Sequence, residues 1–163
     1  MWLYGVLGLV VLQRLGELML ARRNTTRLLD SGYIEVGARH YPLIVLLHAS
    51  WLLAIALTVP PQTAPNLVLL MVFLVLQAAR VWVLASLGPR WTTRIIVPKE
   101  DAPLVSIGPY RWFSHPNYMV VVAEIAVLPL IFGAVEIAVV FTILNGFLLW
   151  HRVRVESQAL GRA

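Results

Sequence analysis

Residues 108–118, Gly-Pro-Tyr-Arg-Trp-Phe-Ser-His-Pro-Asn-Tyr, gather turn formers, an imidazole, an arginine and several aromatic rings directly before an apolar run. Gly108-Pro109 has turn-forming chemistry, and Pro116 disfavours helical geometry at His115. The stretch therefore reads as an irregular loop that presents His115 and Tyr118 in fixed directions, or more simply as an aromatic interfacial belt with a turn in it. A second group lies near the C-terminus. Asn145, Leu149, Arg152 and Glu156 recur at helical spacing and share one face. Arg152 and Glu156 could grip the two charges of a zwitterion, or form a surface ion pair worth only about a few tenths of a kcal/mol. Glu124 follows Asn117 by seven residues on the same helical face, about 10 Å farther along at 1.5 Å per residue. A carboxylate in an apolar helix is costly unless paired, so Glu124 is a candidate base or a holder of a substrate polar group; the plainer alternative is a structural pair with Arg80. Arg80 and Gln77 share a face of the preceding apolar segment, and Trp91, Thr92, Thr93 and Arg94 follow at its end. Trp91 and Arg94 suit interfacial anchoring as well as they suit a ligand. Arg14 and Glu17, three apart, face each other on a helix. His48, alone among apolar residues, reads as a hydrogen bonder between helices, and Arg154, pointing away from the polar stripe, as a headgroup anchor.

Other chemistries are absent from the sequence. With no cysteine there is no disulfide, thiolate metal site or thiol nucleophile. No H-E-x-x-H, paired metal-ligand spacing, Gly-rich phosphate loop or G-x-S-x-G elbow occurs, so no metal is expected. The net charge of +5 does not mark a nucleic-acid binder, because the arginines sit at the ends of apolar segments instead of forming a stripe.

The elements that must position these residues are membrane helices. At 60% hydrophobic and 13% charged, with a mean hydropathy of +0.80, the chain reads as an all-α integral membrane protein, one domain over residues 1–163. Five spans fit residues 2–20, 43–59, 67–87, 118–132 and 134–150, the last two as a tight hairpin turning near Pro129 and Gly133. The N-terminus lacks a basic region and a cleavage site, so the first segment reads as a retained span. With the N-terminus outside and the C-terminus inside, residues 21–42, 88–117 and the tail, which hold most of the Arg and Lys, all fall on the cytoplasmic side. Arg14 and Arg80 then lie near cytoplasmic helix ends. All the dense polar chemistry collects at that one face, beneath an apolar bundle; such a site suits a water-soluble donor and a lipid-like acceptor.

The stretch 108–118 resembles the G-P-Y-x-x-x-R-H-P-x-Y motif of the isoprenylcysteine carboxyl methyltransferase family, which precedes a helical hairpin and a basic-acidic tail ending E-E-x-x-L. Here the tail reads Arg152-Val-Arg-Val-Glu156-Ser157-Gln-Ala-Leu160. More loosely, residues 88–94, His40-Tyr41-Pro42 and residues 115–124 resemble a bacterial branch similar to enzymes encoded beside type III polyketide synthases, which O-methylate alkylpyrones or alkylresorcinols. The resemblance implies methyl transfer from S-adenosylmethionine, with the product S-adenosylhomocysteine, in a bacterial inner membrane. It implies that Tyr110, His115, Pro116, Asn117, Tyr118, Asn145 and Glu156 lie on the cofactor side, held by the cytoplasmic loop and tail. Glu124 and Arg152 are the catalytic candidates, and Arg80, Trp91 and Arg94 the substrate-side ones. The acceptor would be a lipophilic small molecule or a prenylated or lipid species, its tail among the spans and membrane lipids around it. Two positions depart from the motif: Ser114 stands where an arginine is usual and Ser157 where a second glutamate is. A carboxylate acceptor needs no base, whereas an enol or phenol gains from one. Alternatives are a phospholipid N-methyltransferase, a small multidrug transporter using Glu17, and a non-catalytic membrane scaffold.

Overall fold

A computed structural model describes residues 2–98, 103 and 105–159. Lys99 and Arg162, which belong to the basic segments placed above on the cytoplasmic side, and Leu160 of the tail motif lie outside the described residues. Five long helices carry the fold: α1 (Trp2–Asp30), α2 (Tyr41–Thr58), α3 (Leu67–Leu87), α4 (Pro116–Ile131) and α5 (Val135–Ala159). Short 3-10 turns cover Ala38–His40, Gly88–Arg90 and Gly108–Arg111.

The expectation of an all-α chain needs one amendment. Strands β1 (Ile34–Val36) and β2 (Ile95–Val97) pair antiparallel, Ile34 opposite Val97 and Val36 opposite Ile95. Each is only three residues long. Both are rich in β-branched residues, which suit a half-buried pleated surface, and the pair clips the end of α1 to the loop after α3.

Helix ends follow local chemistry. Asn66 caps α3, its Oδ1 accepting from the amides of Val68 at 3.0 Å and Leu69 at 3.1 Å. Pro116 opens α4 at a position where its missing N–H costs nothing, and His115 before it is non-helical at φ −135°, ψ 56°. Gly108 has φ +58°, and an added Cβ there would strike Ser86 on α3, so only glycine allows this close approach. At the far end Pro129 and Gly133, with φ +75°, stop α4 and turn the chain into α5.

The helices pack through apolar residues spaced three or four apart. Leu3, Leu7 and Val10 of α1 meet Leu47, Trp51 and Ile55 of α2, Phe73 of α3 and Val121, Ile125 and Leu128 of α4. The outside is equally apolar: Leu9, Leu12, Leu46, Leu57, Val75 and Phe147 are among many exposed large side chains. Such a surface needs hydrocarbon around it.

Among the described residues, four helices are long and apolar enough to cross a bilayer. The other, α4, has 16 residues, about 24 Å at 1.5 Å per residue, because Pro116 opens it and the turn at Gly133 closes it. Helix α1 instead continues ten residues past the expected Leu20, since no Gly or Pro interrupts the arginine-rich turns between Leu20 and Gly32. The polar stripe expected beyond the last span is likewise one continuous helix with it, α5.

Candidate functional site

At one end of the bundle, α5, the start of α4 and the loop after α3 converge on Tyr118. Its hydroxyl receives a hydrogen bond from Arg152 Nε at 2.8 Å and donates one to Glu156 Oε2. A second Arg152 nitrogen donates to the Thr93 carbonyl at 2.8 Å, so Arg152, buried on α5, ties that helix to both α4 and the β2 loop. His115 stacks on the Tyr118 ring, centroids 5.3 Å apart and planes 11° from parallel. Its Nδ1 lies 3.8 Å from Glu156 Oε2. Burial, with Glu156 adding to it, raises the Tyr110 phenol above its ordinary range, so this ring is a neutral hydroxyl. The loop geometry expected from Gly108-Pro109 and His115-Pro116 is present, and it does aim both His115 and Tyr118 into one place.

Two cavities meet there. The first, about 320 Å³, is lined by charged and aromatic groups including Arg90, Tyr110, Trp112, His115, Arg152 and Glu156. The second, about 620 Å³, runs between α1 and α2, from Tyr4 to Leu18 on one and from Tyr41 to Ala56 on the other, walled mostly by Leu, Val, Ile and Ala. Trp91, Thr92, Asn117, Tyr118 and Arg152 line both. Asn117 Oδ1 and Trp91 Nε1 are buried there without a hydrogen-bond partner. Two unanswered polar atoms at the junction mark it as a place for a ligand.

Trp91 is thus no interfacial anchor. It is 3% exposed, and its carbonyl accepts from Asn24 Nδ2 of α1 at 2.9 Å. Arg94 lines the first cavity, but its guanidinium is engaged outward: Nη1 lies 2.9 Å from both Glu35 carboxylate oxygens and the group sits 4.8 Å from the Tyr41 ring centre. Asn145 and Pro116 are buried yet line neither cavity; Pro116 acts through the backbone it sets at His115.

Glu124 and Arg80 lie in one ion cluster with Arg14 and Glu17, and Arg80 also lines the larger cavity. Glu124 Oε2 is 2.6 Å from Arg14 Nη2 and 3.5 Å from Arg80 Nη1, while Oε1 accepts from Gln77 at 2.9 Å. Glu124 is 1% exposed and lines neither cavity, so nothing in the geometry brings it to a reacting atom. The expected Arg14–Glu17 pair is present at 3.0 Å. Glu17 also lies 2.9 Å from Arg80 Nε, at ion-pair distance without hydrogen-bond alignment. His48 does not bridge helices. Its Nδ1 is 2.8 Å from the Ile44 carbonyl of its own helix, and its ring borders the larger cavity.

Sequence reasoning missed Thr92 and Thr93 as site members and Asn24 as the residue that seats Trp91. Asn24 was legible only as a polar residue among arginines, since its partners are backbone carbonyls of a distant loop. Among the described residues no group of three His, Asp or Glu is placed to hold a metal ion.

The fold and site define a helical membrane protein in which a polar chamber and an apolar one share a wall. Residues 68–162 match the isoprenylcysteine carboxyl methyltransferase (ICMT) family. A protein of Bacillus subtilis (strain 168), YpbQ, described as uncharacterized, is 38% identical over 163 residues, covering 98% of this chain and 95% of its own length. No solved structure matches the chain. The chain belongs to the ICMT family, whose members are membrane methyltransferases that generally use S-adenosylmethionine.

Proposed function

We propose that this protein transfers a methyl group from S-adenosylmethionine to an oxygen, carboxylate or enol/phenol, of a lipophilic acceptor at the cytoplasmic face of a bacterial membrane. The observation that carries the reading is the shared wall: a polar, aromatic chamber and an apolar one meet at Tyr118, Arg152, Trp91 and Asn117. The donor set suits the cofactor. Glu156 can take its ammonium, His115 or Arg90 its carboxylate, and Tyr110 and Trp112 offer aromatic faces to the adenine or sulfonium. When bound, the cofactor would supply an electrophilic methyl on a positive sulfur to the acceptor oxygen as its carboxylate, enolate or phenolate, an enol or phenol proton having passed to solvent water and the S–C electron pair remaining on sulfur.

The chain's own part is orientation and electrostatics. Arg152, fixed by Tyr118 and Thr93, stands at the junction, where a guanidinium stabilises an acceptor oxygen bearing negative charge. The aliphatic walls between α1 and α2 hold the acceptor's tail out of water and align its head with the junction. Ser114, exposed in the loop, leaves the arginines as the cationic groups of the chamber. The similarity of residues 88–94 and 115–124 to the polyketide-associated branch favours an enol or phenol acceptor. The cytoplasmic placement draws support from Arg22, Arg23, Arg90 and Arg111.

Calorimetric titration of S-adenosylmethionine and S-adenosylhomocysteine into detergent-purified protein tests this. Micromolar binding that disappears in His115→Ala is expected. Folded protein that ignores both ligands, with or without long-chain phenols present, overturns it.

A further inference from the structure

His48 borders the larger cavity with one ring nitrogen engaged and the other free. Nδ1 lies 2.8 Å from the Ile44 carbonyl. A carbonyl only accepts, so Nδ1 carries the ring proton, and Nε2 of the uncharged ring is an acceptor. Arg14 and Arg80 already balance Glu17 and Glu124, so a second ring proton would bring uncompensated charge into an apolar wall. Among the described residues Nε2 has no hydrogen-bond partner, and unlike Trp51 Nε1, on the ring packed edgewise against it, Nε2 is not closed off by protein.

The position of His48 on α2 turns that acceptor inward. At about 100° per residue, His48 falls between Trp51 and Ile55, which are buried in the core, and Ala49 and Leu53, which are exposed on the lipid side. From Ile44 to Ala56 every other α2 residue on the cavity wall is Ile, Val, Leu or Ala. Arg14, Glu17 and Arg80 also line the cavity, but they are engaged with one another and with Glu124. A lone acceptor among hydrocarbon costs free energy that an aliphatic residue would not, and a ligand that donates to it removes the cost. Tyr41 sets the depth. Its hydroxyl is 3.2 Å from Thr93 Oγ1, and the Thr93 carbonyl accepts from Arg152 at 2.8 Å. His48 lies seven residues farther along α2, about 10 Å.

We propose that His48 Nε2 is a recognition point inside the larger cavity for an uncharged hydrogen-bond donor, a hydroxyl or amide N–H, on the tail of the methyl acceptor, about 10 Å from the oxygen held at Arg152. The acceptor is then an amphiphile whose chain carries a donor at that depth. A plain hydrocarbon tail, or one whose oxygen only accepts, is the poorer ligand, and an ammonium is disfavoured because it adds charge to a balanced wall. Identifying the bound molecule as the methyl acceptor rests on the methyl-transfer reading; the site itself does not.

Four derivatives of 3-pentadecylphenol test it by calorimetry on the full chain in detergent: alcohols at the first, fifth or twelfth chain carbon, and the ketone at the fifth. The chain begins about 5 Å from the phenol oxygen and gains about 1.25 Å per extended methylene, so the fifth carbon stands nearest the depth of His48. The fifth-carbon alcohol is expected to bind about three- to tenfold more tightly than each of the other three, the range for one neutral hydrogen bond. In His48→Phe the four should bind alike, with S-adenosylhomocysteine affinity within about twofold of wild type. A fifth-carbon alcohol no tighter than the other alcohols or the ketone, no binding of any of the four, or a preference that survives in His48→Phe overturns the inference. The first two of these results need no variant to fold. S-adenosylhomocysteine binding in the same preparation separates the two readings. Cofactor binding without alcohol preference removes this inference alone; alcohol preference without cofactor binding keeps the His48 site and removes only methyl transfer.

Discussion

Replacing Glu124 separates a residue that does chemistry from one that holds the bundle together. In Glu124→Gln the amide is nearly isosteric, and its oxygen can still accept from Gln77, now 2.9 Å away. What disappears is the charge facing Arg14 at 2.6 Å and Arg80 at 3.5 Å. Two guanidiniums, buried Arg80 and half-buried Arg14, then share the single carboxylate of Glu17. Removing one partner of a buried pair costs about 3–5 kcal/mol; because the amide preserves some hydrogen bonding, the lower end applies here. For a chain of this size about 3 kcal/mol corresponds to a fall of roughly 6–12 °C in the unfolding midpoint. The double variant Arg14→Gln/Glu124→Gln restores the charge balance, so its midpoint should recover by several degrees relative to the sum of the single changes. Since Glu124 lines neither cavity, kcat per folded molecule should stay within about twofold of wild type, for Brønsted-type losses are tied to groups within hydrogen-bond reach of the substrate. The assay is thermal unfolding in detergent beside methyl transfer to a long-chain phenol, with the folded fraction measured for each sample. An unchanged midpoint combined with a hundredfold fall in kcat and an altered pH profile refutes this reasoning and makes Glu124 a base.

Two further changes probe the site and the orientation. Tyr118→Phe removes the hydroxyl between Arg152 and Glu156; losing hydrogen bonds to charged groups should weaken S-adenosylhomocysteine binding about tenfold, and unchanged affinity by calorimetry counts against Glu156 as the cofactor's partner. The chain has no cysteine, so single introductions report sidedness cleanly: in intact bacterial cells Thr63→Cys, in the uncharged connector between α2 and α3, should react with a membrane-impermeant maleimide, and Ser157→Cys should react only after permeabilisation. The reverse pattern inverts the topology read from the arginines.

Local chemistry made much of the fold legible, whereas distant pairings stayed hidden. The apolar runs located all five helices, and Gly108, Pro109 and Pro116 announced the loop geometry that aims His115 and Tyr118, because proline and glycine act on the residues beside them. The facing of Arg152 and Glu156 followed from helical spacing, and α5 keeps that spacing unbroken. By contrast, β1 and β2 are three-residue strands whose partners lie on opposite sides of two helices, and no periodicity announces a pairing that short. Glu124 could be recognised as costly from its surroundings alone. Whether its cost was met by Arg80, by Arg14 or by a substrate depended on how α1 leans against α3 and α4, which no residue spacing encodes.

The placement of α1 also accounts for the two chambers. Its membrane half packs in the core through Leu3, Leu7 and Val10 and borders the larger cavity from Tyr4 to Leu18, while its far half is pinned by Asn24 to the carbonyls of Gly88 and Trp91. That second contact seats the Trp91 ring between the chambers. The strand pair and the Glu35–Arg94 bridge reinforce the same junction from outside, though an exposed pair of that kind contributes at most about 1 kcal/mol. A helix that ended at Leu20, where its apolar run ends, would reach neither contact. The arginine-rich extension of α1 is thus structural as well as topological: it carries Asn24 to the loop that closes the wall shared by both cavities, so that Tyr118 and Arg152 face each chamber at once.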